Sequence, residues 1–272
     1  MSTGRTRPDV LRTFTTSVAA VEEVHTQLRR VTFRGGQLAA FEPVGPDTFV
    51  YLLVAPPGCE HLEVDDDFTW ERHFALPDET RPVGAYYTVR RWDPARLRLE
   101  ILMVLHGDEG SGSAWAQRAE VGERVALWGP RTAYEPPADT DRWLLVAVET
   151  GLPAVAAILE QLPVGQAATV LAEVDGAATR QALPARPGVD VRWLHRDGAP
   201  AGTTTLLADA IRALPPPSPT TYVWGGAESR AMTAVRKHVR HEVGLPRERV
   251  SLVAYWRHPE SPVEVVDDEA DG

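Results

Sequence analysis

The sequence predicts two domains, an antiparallel β-domain followed by a doubly wound α/β domain. Three observations support this prediction. The chain has 272 residues, which is more than one ordinary domain core needs. Its first half consists of short apolar or alternating segments separated by turn residues. Its second half alternates strand-like and helix-like apolar segments, which is typical of a parallel sheet covered by helices.

The first half, from about Thr13 to Trp128, predicts several short antiparallel strands. Gly35-Gly36 and Pro56-Pro57-Gly58 are turn signals, and Trp92-Asp93-Pro94 predicts a hairpin between its neighbouring strands. Such short strands at this spacing indicate a barrel or a sandwich. The expected strands are 30–33, 48–54, 86–90, 97–104 and 124–127.

The pattern changes after Pro136-Pro137. Residues 143–148 form an apolar run typical of a buried parallel strand, and 152–162 carry apolar residues at helical spacing. The alternation that follows predicts a doubly wound sheet, whose ligands bind at the carboxyl ends of the strands. Further strands are expected at 168–173, 189–194, 221–224 and 250–256, and further helices at 204–213 and 228–242.

Charge and apolar content exclude several classes of partner. The chain has 28 Lys and Arg against 38 Asp and Glu, a formal charge of -10, so we expect no nucleic-acid or anionic-lipid surface. No apolar run approaches the ~20 residues of a membrane helix, so no integral membrane association is expected. Residues 259–272 are strongly acidic and predict a disordered tail.

Cysteine and histidine content limits the chemistry further. Cys59 is the only cysteine, which excludes an internal disulfide and a cysteine-bound metal cluster. The histidines show no H-E-x-x-H spacing, so no metal site is predicted. The first eleven residues have no apolar core like that of a signal peptide, and we expect a cytoplasmic protein.

Five segments follow one another in the order found in a known family. They are Tyr86-Tyr87-Thr88-Val89-Arg90 (R-x-Y-T-x-R in the family), His106 to Ala116 (H-G-x-x-G-P-x-x-x-W-A), Glu149-Thr150-Gly151-Leu152-Pro153-Ala154 (E-T-x-L-P-A), Trp224 to Glu228 (W-x-x-G-E) and Tyr255-Trp256-Arg257 (Y-W-R). Through these segments the chain resembles the siderophore-interacting flavoproteins, which are reductases of ferric siderophores.

This resemblance implies a ferredoxin-reductase-like fold, with an antiparallel Greek-key barrel that binds FAD over 13–138 and an α/β domain that binds NAD(P)H over 141–258. It implies FAD as cofactor and NADPH or NADH as electron donor, the two being indistinguishable from the sequence. The expected partner is a small-molecule acceptor, a ferric siderophore or a specialised metabolite. No obligate protein partner is inferred.

For FAD, the resemblance implies that Tyr87 packs on the flavin, that Thr88 lies near flavin N5 as the catalytic residue, and that Arg90 binds the phosphates. Tyr86 and Val89 complete this cofactor-binding strand. The same residues are also those of an ordinary β-strand.

The turn after His106 should lead into a helix over 113–118, where free backbone N–H groups suit the FAD pyrophosphate. Trp115 either covers the adenine or belongs to the core, and His106 is more typical of a strand end than of a catalyst. The cofactor-binding candidates of this segment are His106, Gly107, Gly110, Ser111, Gly112, Ser113 and Trp115.

Two strand ends in the second half are candidates for nicotinamide binding. The first is Glu149-Thr150-Gly151, although an acidic helix start has the same appearance. The second includes Trp224, Gly226 and Glu228, where Gly226 allows close backbone approach and Glu228 is expected to bond a ribose hydroxyl. A ferric siderophore is often anionic, and Arg257 and Arg131 are the candidate cations for it.

The chain departs from the family pattern at cofactor positions. Ala85 replaces the first arginine of R-x-Y-T, Ala147-Val148 replaces Gly-Asp, and Ala227 replaces the glycine of W-x-x-G-E. These changes keep two alternatives open. One is a repurposed protein without nicotinamide-driven redox activity, such as a cyclase or isomerase of specialised metabolism. The other is a protein that only binds a small molecule.

Overall fold

The computed structural model of this chain describes residues 11–59, 61–65, 67–106, 110–259 and 261. Its first unit is a closed six-stranded barrel with strand order β1-β2-β5-β4-β3-β6, in which all neighbours are antiparallel. This Greek-key order confirms the barrel and removes the sandwich alternative. The strands are β1 Arg12–His25, β2 Leu28–Arg34, β3 Phe49–Val54, β4 Val83–Asp93, β5 Arg98–Val104 and β6 Arg124–Arg131.

The sequence prediction does not include β1, although this strand has 14 residues. The inward-facing positions of β1 include Phe14, Thr16 and Val18, and only two of these three side chains are apolar. The alternation is therefore weak in the sequence. Thr16 stays buried because its hydroxyl bonds the Val125 carbonyl of the neighbouring strand.

Two short helices accompany the barrel. Helix α1, Trp70–Ala75, begins after Thr69, whose side chain caps the Arg72 N–H group. The sequence prediction does not include α1, because six residues are too few to show helical periodicity. Helix α2, Ser111–Arg118, begins two residues before the predicted start and contributes Trp115 to the barrel core.

The second unit is a five-stranded sheet with order β11-β10-β7-β8-β9, and all of its strands are parallel. Helix α3 covers one face and helices α4 and α5 cover the other, which confirms the doubly wound α/β domain. The elements are β7 Arg142–Val148, α3 Leu152–Gln161, β8 Ala167–Val174, β9 Val189–His195, α4 Leu206–Arg212, β10 Thr221–Glu228, α5 Ser229–Arg236, which continues as a π-helical turn Lys237–Glu242, and β11 Val250–Trp256.

Most of the expected tail over 259–272 lies outside the described residues. Ser261, which is described, is buried and donates a hydrogen bond to the carboxylate of Glu228. No helix within the described ranges is long and apolar enough to cross a membrane.

Candidate functional site

Strand β4 directs its motif residues to two faces, because successive side chains of a strand alternate. Tyr86 points to the outside of the barrel, where its ring contacts the rings of Phe49 and Tyr51. Tyr87 points the other way, against the barrel core and helix α2. Thr88 shares the face of Tyr86 and is buried against the α/β domain.

The hydroxyl of Thr88 is a polar group at the junction of the two domains. Its Oγ1 atom is buried and has no hydrogen-bond partner of ordinary geometry among the described residues. The phenol of Tyr255, on β11, lies beside it. Burial raises the pKa of Tyr255, the charge of Asp47 adds to the rise, and the interaction with Thr88 acts in the opposite direction. A buried hydroxyl without a firm partner is able to bond an incoming ligand.

Tyr87 lies against the start of helix α2. A Cβ atom at Gly112 would lie 1.9 Å from the Tyr87 hydroxyl oxygen, so only glycine allows this contact. Burial raises the pKa of Tyr87 well above its ordinary range, and the phenol therefore stays neutral. Gly110 precedes the helix with φ 91°, a conformation that favours glycine, and no side chain caps the helix.

Other residues of this turn form hydrogen bonds that hold it against the barrel. Ser113 is buried and accepts a hydrogen bond from the His106 N–H group, and the Ser111 hydroxyl lies 3.4 Å from the Gly84 carbonyl oxygen. Gly107 lies outside the described residues. Trp115 is fully buried, stacks on Phe33 and donates to Glu123, so the structure favours its core role over contact with adenine.

Arg90 and Val89 have partners that the sequence does not reveal. The guanidinium of Arg90 forms two hydrogen bonds with the carboxylate of Glu160 on α3, at 2.6 and 3.1 Å. Arg90 therefore joins the barrel to the α/β domain. The family resemblance implies a different role for it, namely contact with the FAD phosphates. Val89 is buried in the barrel core, and its N–H group donates to the Thr48 carbonyl.

Asp47 is a buried carboxylate between the domains that sequence reasoning missed. It is fully buried and accepts hydrogen bonds from the Thr132 hydroxyl (2.5 Å), the Ala133 N–H (3.0 Å) and the Trp224 indole N–H (3.1 Å). Burial raises the pKa of Asp47, whereas these hydrogen bonds act in the opposite direction. Trp224 is thus anchored to the barrel, and its ring packs edge-on against Tyr255.

The two strand ends predicted for nicotinamide binding do meet. A Cβ atom at Gly151 would lie 2.2 Å from the Gly226 carbonyl oxygen, and one at Gly226 would lie 2.9 Å from the ring of Tyr255. The space that these glycines leave is therefore used by the protein's own backbone and by Tyr255. The Thr150 hydroxyl, at the same strand end, is buried and has no hydrogen-bond partner in the described part of the chain.

Glu149 lies in a buried ion-pair network at the ends of β7, β8 and β9. The guanidinium of Arg196 bonds both carboxylate oxygens of Glu149, at 2.7 and 3.0 Å, and lies 3.6 Å from the carboxylate of Glu173. Burial works against the charge of Arg196, but the two glutamates raise its pKa. Burial also raises the pKa of Glu173, which accepts a hydrogen bond from Thr204. Both carboxylate oxygens of Glu149 already accept hydrogen bonds within this network, so Glu149 is not a free ligand.

Glu228 also has a different role from the expected ribose contact. Its carboxylate is fully buried and caps α5 by accepting hydrogen bonds from the Arg230 and Ala231 N–H groups. The same carboxylate accepts the Ser261 hydroxyl and the His258 N–H. Burial alone would raise the pKa of Glu228, but these hydrogen bonds lower it below the ordinary value. Its lone pairs are committed to holding the segment after β11.

The two candidate cations for the acceptor differ in exposure, because Arg257 is exposed and Arg131 is half-buried. Arg257 is exposed directly after β11. Arg131 ends β6, and its guanidinium lies over the rings of Trp128 and Tyr86, at 4.5 and 5.8 Å from their centroids. Tyr86 is one of the predicted cofactor-binding residues, whereas Trp128 is not among the predicted site residues, because a single tryptophan near a strand end gives no pattern in the sequence.

The residues present fit FAD on the barrel and a nucleotide at the second domain. The unpartnered Thr88 hydroxyl and the uncapped start of α2 are suited to flavin and pyrophosphate. The unpartnered Thr150 hydroxyl lies at the start of α3, where phosphates commonly bind. Ala85 offers no cation, so the barrel lacks one charge that the resemblance implies.

The chain is similar to known proteins over most of its length. Ferric vibriobactin reductase of Vibrio cholerae is 30% identical over 243 residues, which cover 86% of this chain and 85% of that protein. The crystal structure of a siderophore utilization protein from T. fusca is 31% identical, with a TM-score of 0.82 over 96% of this chain and 98% of that one. The ferredoxin reductase of carbazole 1,9a-dioxygenase has a TM-score of 0.63 at 15% identity, over 90% of this chain and 70% of that one, and shares the fold.

Two family models match, one for each unit of the structure. Residues 17–134 match the siderophore-interacting FAD-binding domain, and residues 140–259 match the siderophore-interacting protein model. The two domain matches, their order along the chain and the similar proteins all indicate the same family. This chain belongs to the siderophore-interacting protein family.

Proposed function

We propose that this protein is a FAD-dependent NAD(P)H oxidoreductase that passes electrons to a ferric siderophore or a similar small-molecule acceptor. The observation that carries the proposal is the buried Thr88 hydroxyl beside Tyr255, which has no hydrogen-bond partner of ordinary geometry in the part of the chain that the structure describes. It lies where the FAD-binding barrel meets the strand ends of the α/β domain. A redox cofactor bound there would lie at the junction of the two domains.

The residues that would hold FAD lie on β4 and α2. Tyr87 offers a neutral aromatic ring, and the hydroxyl of Thr88 can act as a hydrogen-bond donor. Gly110 to Ser113 offer backbone N–H groups for the pyrophosphate. Bound there, FAD would supply the conversion between two-electron and one-electron transfer that a nicotinamide donor and a ferric acceptor require.

The nucleotide would bind at the start of α3. Thr150 Oγ1 is available for a hydrogen bond, and the helix N-terminus favours a phosphate. Gly151 and Gly226 bring the two strand ends together, and Tyr255 lies beside the Thr88 hydroxyl. These residues would position the donor.

The acceptor would approach from the side of Arg131. This guanidinium provides positive charge beside Trp128 and Tyr86 in a chain of formal charge -10, which favours an anionic chelate there, and Arg257 is a second exposed cation. The names of the relatives, among them a ferric vibriobactin reductase, support a ferric acceptor.

A spectrum of the purified protein tests the proposal. After removal of excess FAD, we expect flavin absorbance that bleaches anaerobically on addition of NADPH or NADH. A protein that neither retains flavin nor takes up added FAD would contradict it.

A second candidate is a repurposed protein that binds flavin or a metabolite without nicotinamide-driven reduction. It is favoured by one observation: Glu149 and Glu228 are both committed to internal hydrogen bonds and ion pairs. In the same experiment, this candidate predicts a flavin spectrum that both nucleotides leave oxidised.

A further inference from the structure

A cavity of about 500 Å³ lies beside helix α1. Its walls come from the segment 62–68, which precedes the helix, and from residues 72–76. A cavity of this volume is large enough for a small organic molecule. Its lining residues do not include those proposed above for FAD or for the nucleotide, so any ligand of this cavity would be a further one.

Much of the cavity wall is apolar. Leu62 and Val64 are buried and pack against the outer face of strands β3 and β6. The ring of Phe68 also lines the cavity, and its centroid lies 5.8 Å from that of the His73 imidazole. Walls of this kind gain free energy when they take the apolar body of a ligand out of water.

His73 brings a polar atom to this wall. The residue is only 7% exposed, and its Nδ1 atom is buried without a hydrogen-bond partner in the part of the chain that the structure describes. Burial lowers the pKa of His73, and the charge of Arg81 lowers it further, so the imidazole is neutral at physiological pH. With the proton on Nε2, the Nδ1 atom can accept a hydrogen bond from a ligand, and a buried polar atom normally has such a partner.

The charged residues around the cavity favour a cation. The lining includes two carboxylates, Glu63 and Asp65, and one guanidinium, Arg72. Arg72 already bonds both oxygens of Asp65, at 3.0 and 3.3 Å, and the Asp67 carbonyl. Glu63 is exposed and forms no ion pair within the described ranges. One negative charge is therefore left over, and the ring of Phe68 is a further group that attracts cations.

From these observations we propose that the cavity is a binding site for a small organic amine with an aromatic or other apolar body. The ammonium group would donate a hydrogen bond to Nδ1 of His73, and the carboxylate of Glu63 would offset its charge. The apolar body would lie against Leu62 and Phe68. An anion of the same shape would meet the charge of Glu63 without a free cation to offset its own.

Three small molecules of similar shape and different charge test the proposal. They are 2-phenylethylamine, which is a cation at neutral pH, 2-phenylethanol, which is neutral, and phenylacetate, which is an anion. Dissociation constants are measured on the purified full-length chain by saturation-transfer NMR titration. We expect the amine to bind about fivefold more tightly than the alcohol and at least about tenfold more tightly than phenylacetate.

Substitutions then locate the site. Glu63→Gln should weaken binding of the amine about three- to fivefold and leave binding of the alcohol unchanged. Glu71→Gln is the matched control, because Glu71 is an exposed carboxylate of α1 that does not line the cavity. Ala75→Phe introduces a ring into the cavity from an exposed position and should abolish binding of both ligands. His73→Phe keeps an aromatic ring without a nitrogen and should weaken binding of the amine at least about fivefold.

Several results would overturn the proposal. One is equal affinity for the amine and phenylacetate, and another is binding of the amine that Ala75→Phe leaves unchanged. Equal weakening by Glu63→Gln and Glu71→Gln would show attraction to the general negative charge of the chain and not to this cavity. If His73→Phe fails to fold, the variants at Glu63 and Ala75 still decide, because both positions are exposed.

Discussion

Replacement of Asp47 by leucine should strongly destabilise the protein. The Asp47 carboxylate is fully buried, and its Oδ2 atom accepts both the Ala133 N–H and the Trp224 indole N–H. Leucine offers no acceptor, and each buried donor left unpaired costs about 1–3 kcal/mol. The Thr132 hydroxyl loses its acceptor as well, so the three donors together give an expected loss of about 3–9 kcal/mol. Urea denaturation followed by tryptophan fluorescence measures this loss.

Asp47→Asn is the matched control, because it keeps the shape and one acceptor. With its amide oxygen towards Ala133 and Trp224, the NH₂ group faces Thr132, whose hydroxyl can accept a hydrogen bond. We expect Asp47→Asn to cost only about 1–2 kcal/mol, the difference between a charged and a neutral acceptor. Equal stability of the leucine and asparagine variants would refute the assignment of Asp47 as the acceptor that joins the domains.

The wild type and the Asp47→Asn variant should also differ in the pH dependence of their stability. Because burial holds the pKa of Asp47 above its ordinary value of 3.8, the native state binds the proton more tightly than the unfolded state. This contribution to stability is fully present below the unfolded pKa and is lost as pH rises through the folded pKa. The unfolding free energy of the wild type relative to Asp47→Asn should therefore rise as pH falls from neutral towards 4. A difference that stays constant would contradict a raised pKa.

Three further predictions concern the candidate site. Arg196→Met should lower the free energy of unfolding by about 3–5 kcal/mol in urea denaturation, because it leaves two buried carboxylates without a cation. The exposed control Arg192→Met should lower it by less than about 1 kcal/mol. Equal losses in the two variants would refute the burial argument. Gly112→Ala should lower thermal stability and FAD affinity, since its Cβ meets the phenol oxygen, and Tyr87→Phe in the same chain should restore part of the stability; no restoration would contradict that contact. Ala85→Arg should tighten FAD binding by roughly one to two decades in a fluorescence titration, and an unchanged affinity would show that position 85 does not face the phosphates.

The sequence predicts the order of the elements better than the partners of the site residues. The apolar runs of β7 and β11 are local signals, and both strands lie where they are expected. The partners of Glu149 and Trp224 are distant in sequence: Arg196 is 47 residues from Glu149, and Asp47 is 177 residues from Trp224. Nothing local marks such pairs, because an acidic residue after a strand looks the same whether it binds a ribose or an arginine.

The pairing of Arg90 with Glu160 is compatible with the phosphate contact that the family resemblance implies. The Arg90 side chain is 23% exposed and that of Glu160 is 46% exposed, so solvent screens their attraction. Such pairs contribute about 0–1 kcal/mol, whereas a hydrogen bond from arginine to a phosphate is worth about 1.5–3 kcal/mol. Exchange of the carboxylate for a phosphate is therefore favourable. The domains would not separate as a result, because the buried Asp47–Trp224 hydrogen bond holds them independently of Arg90.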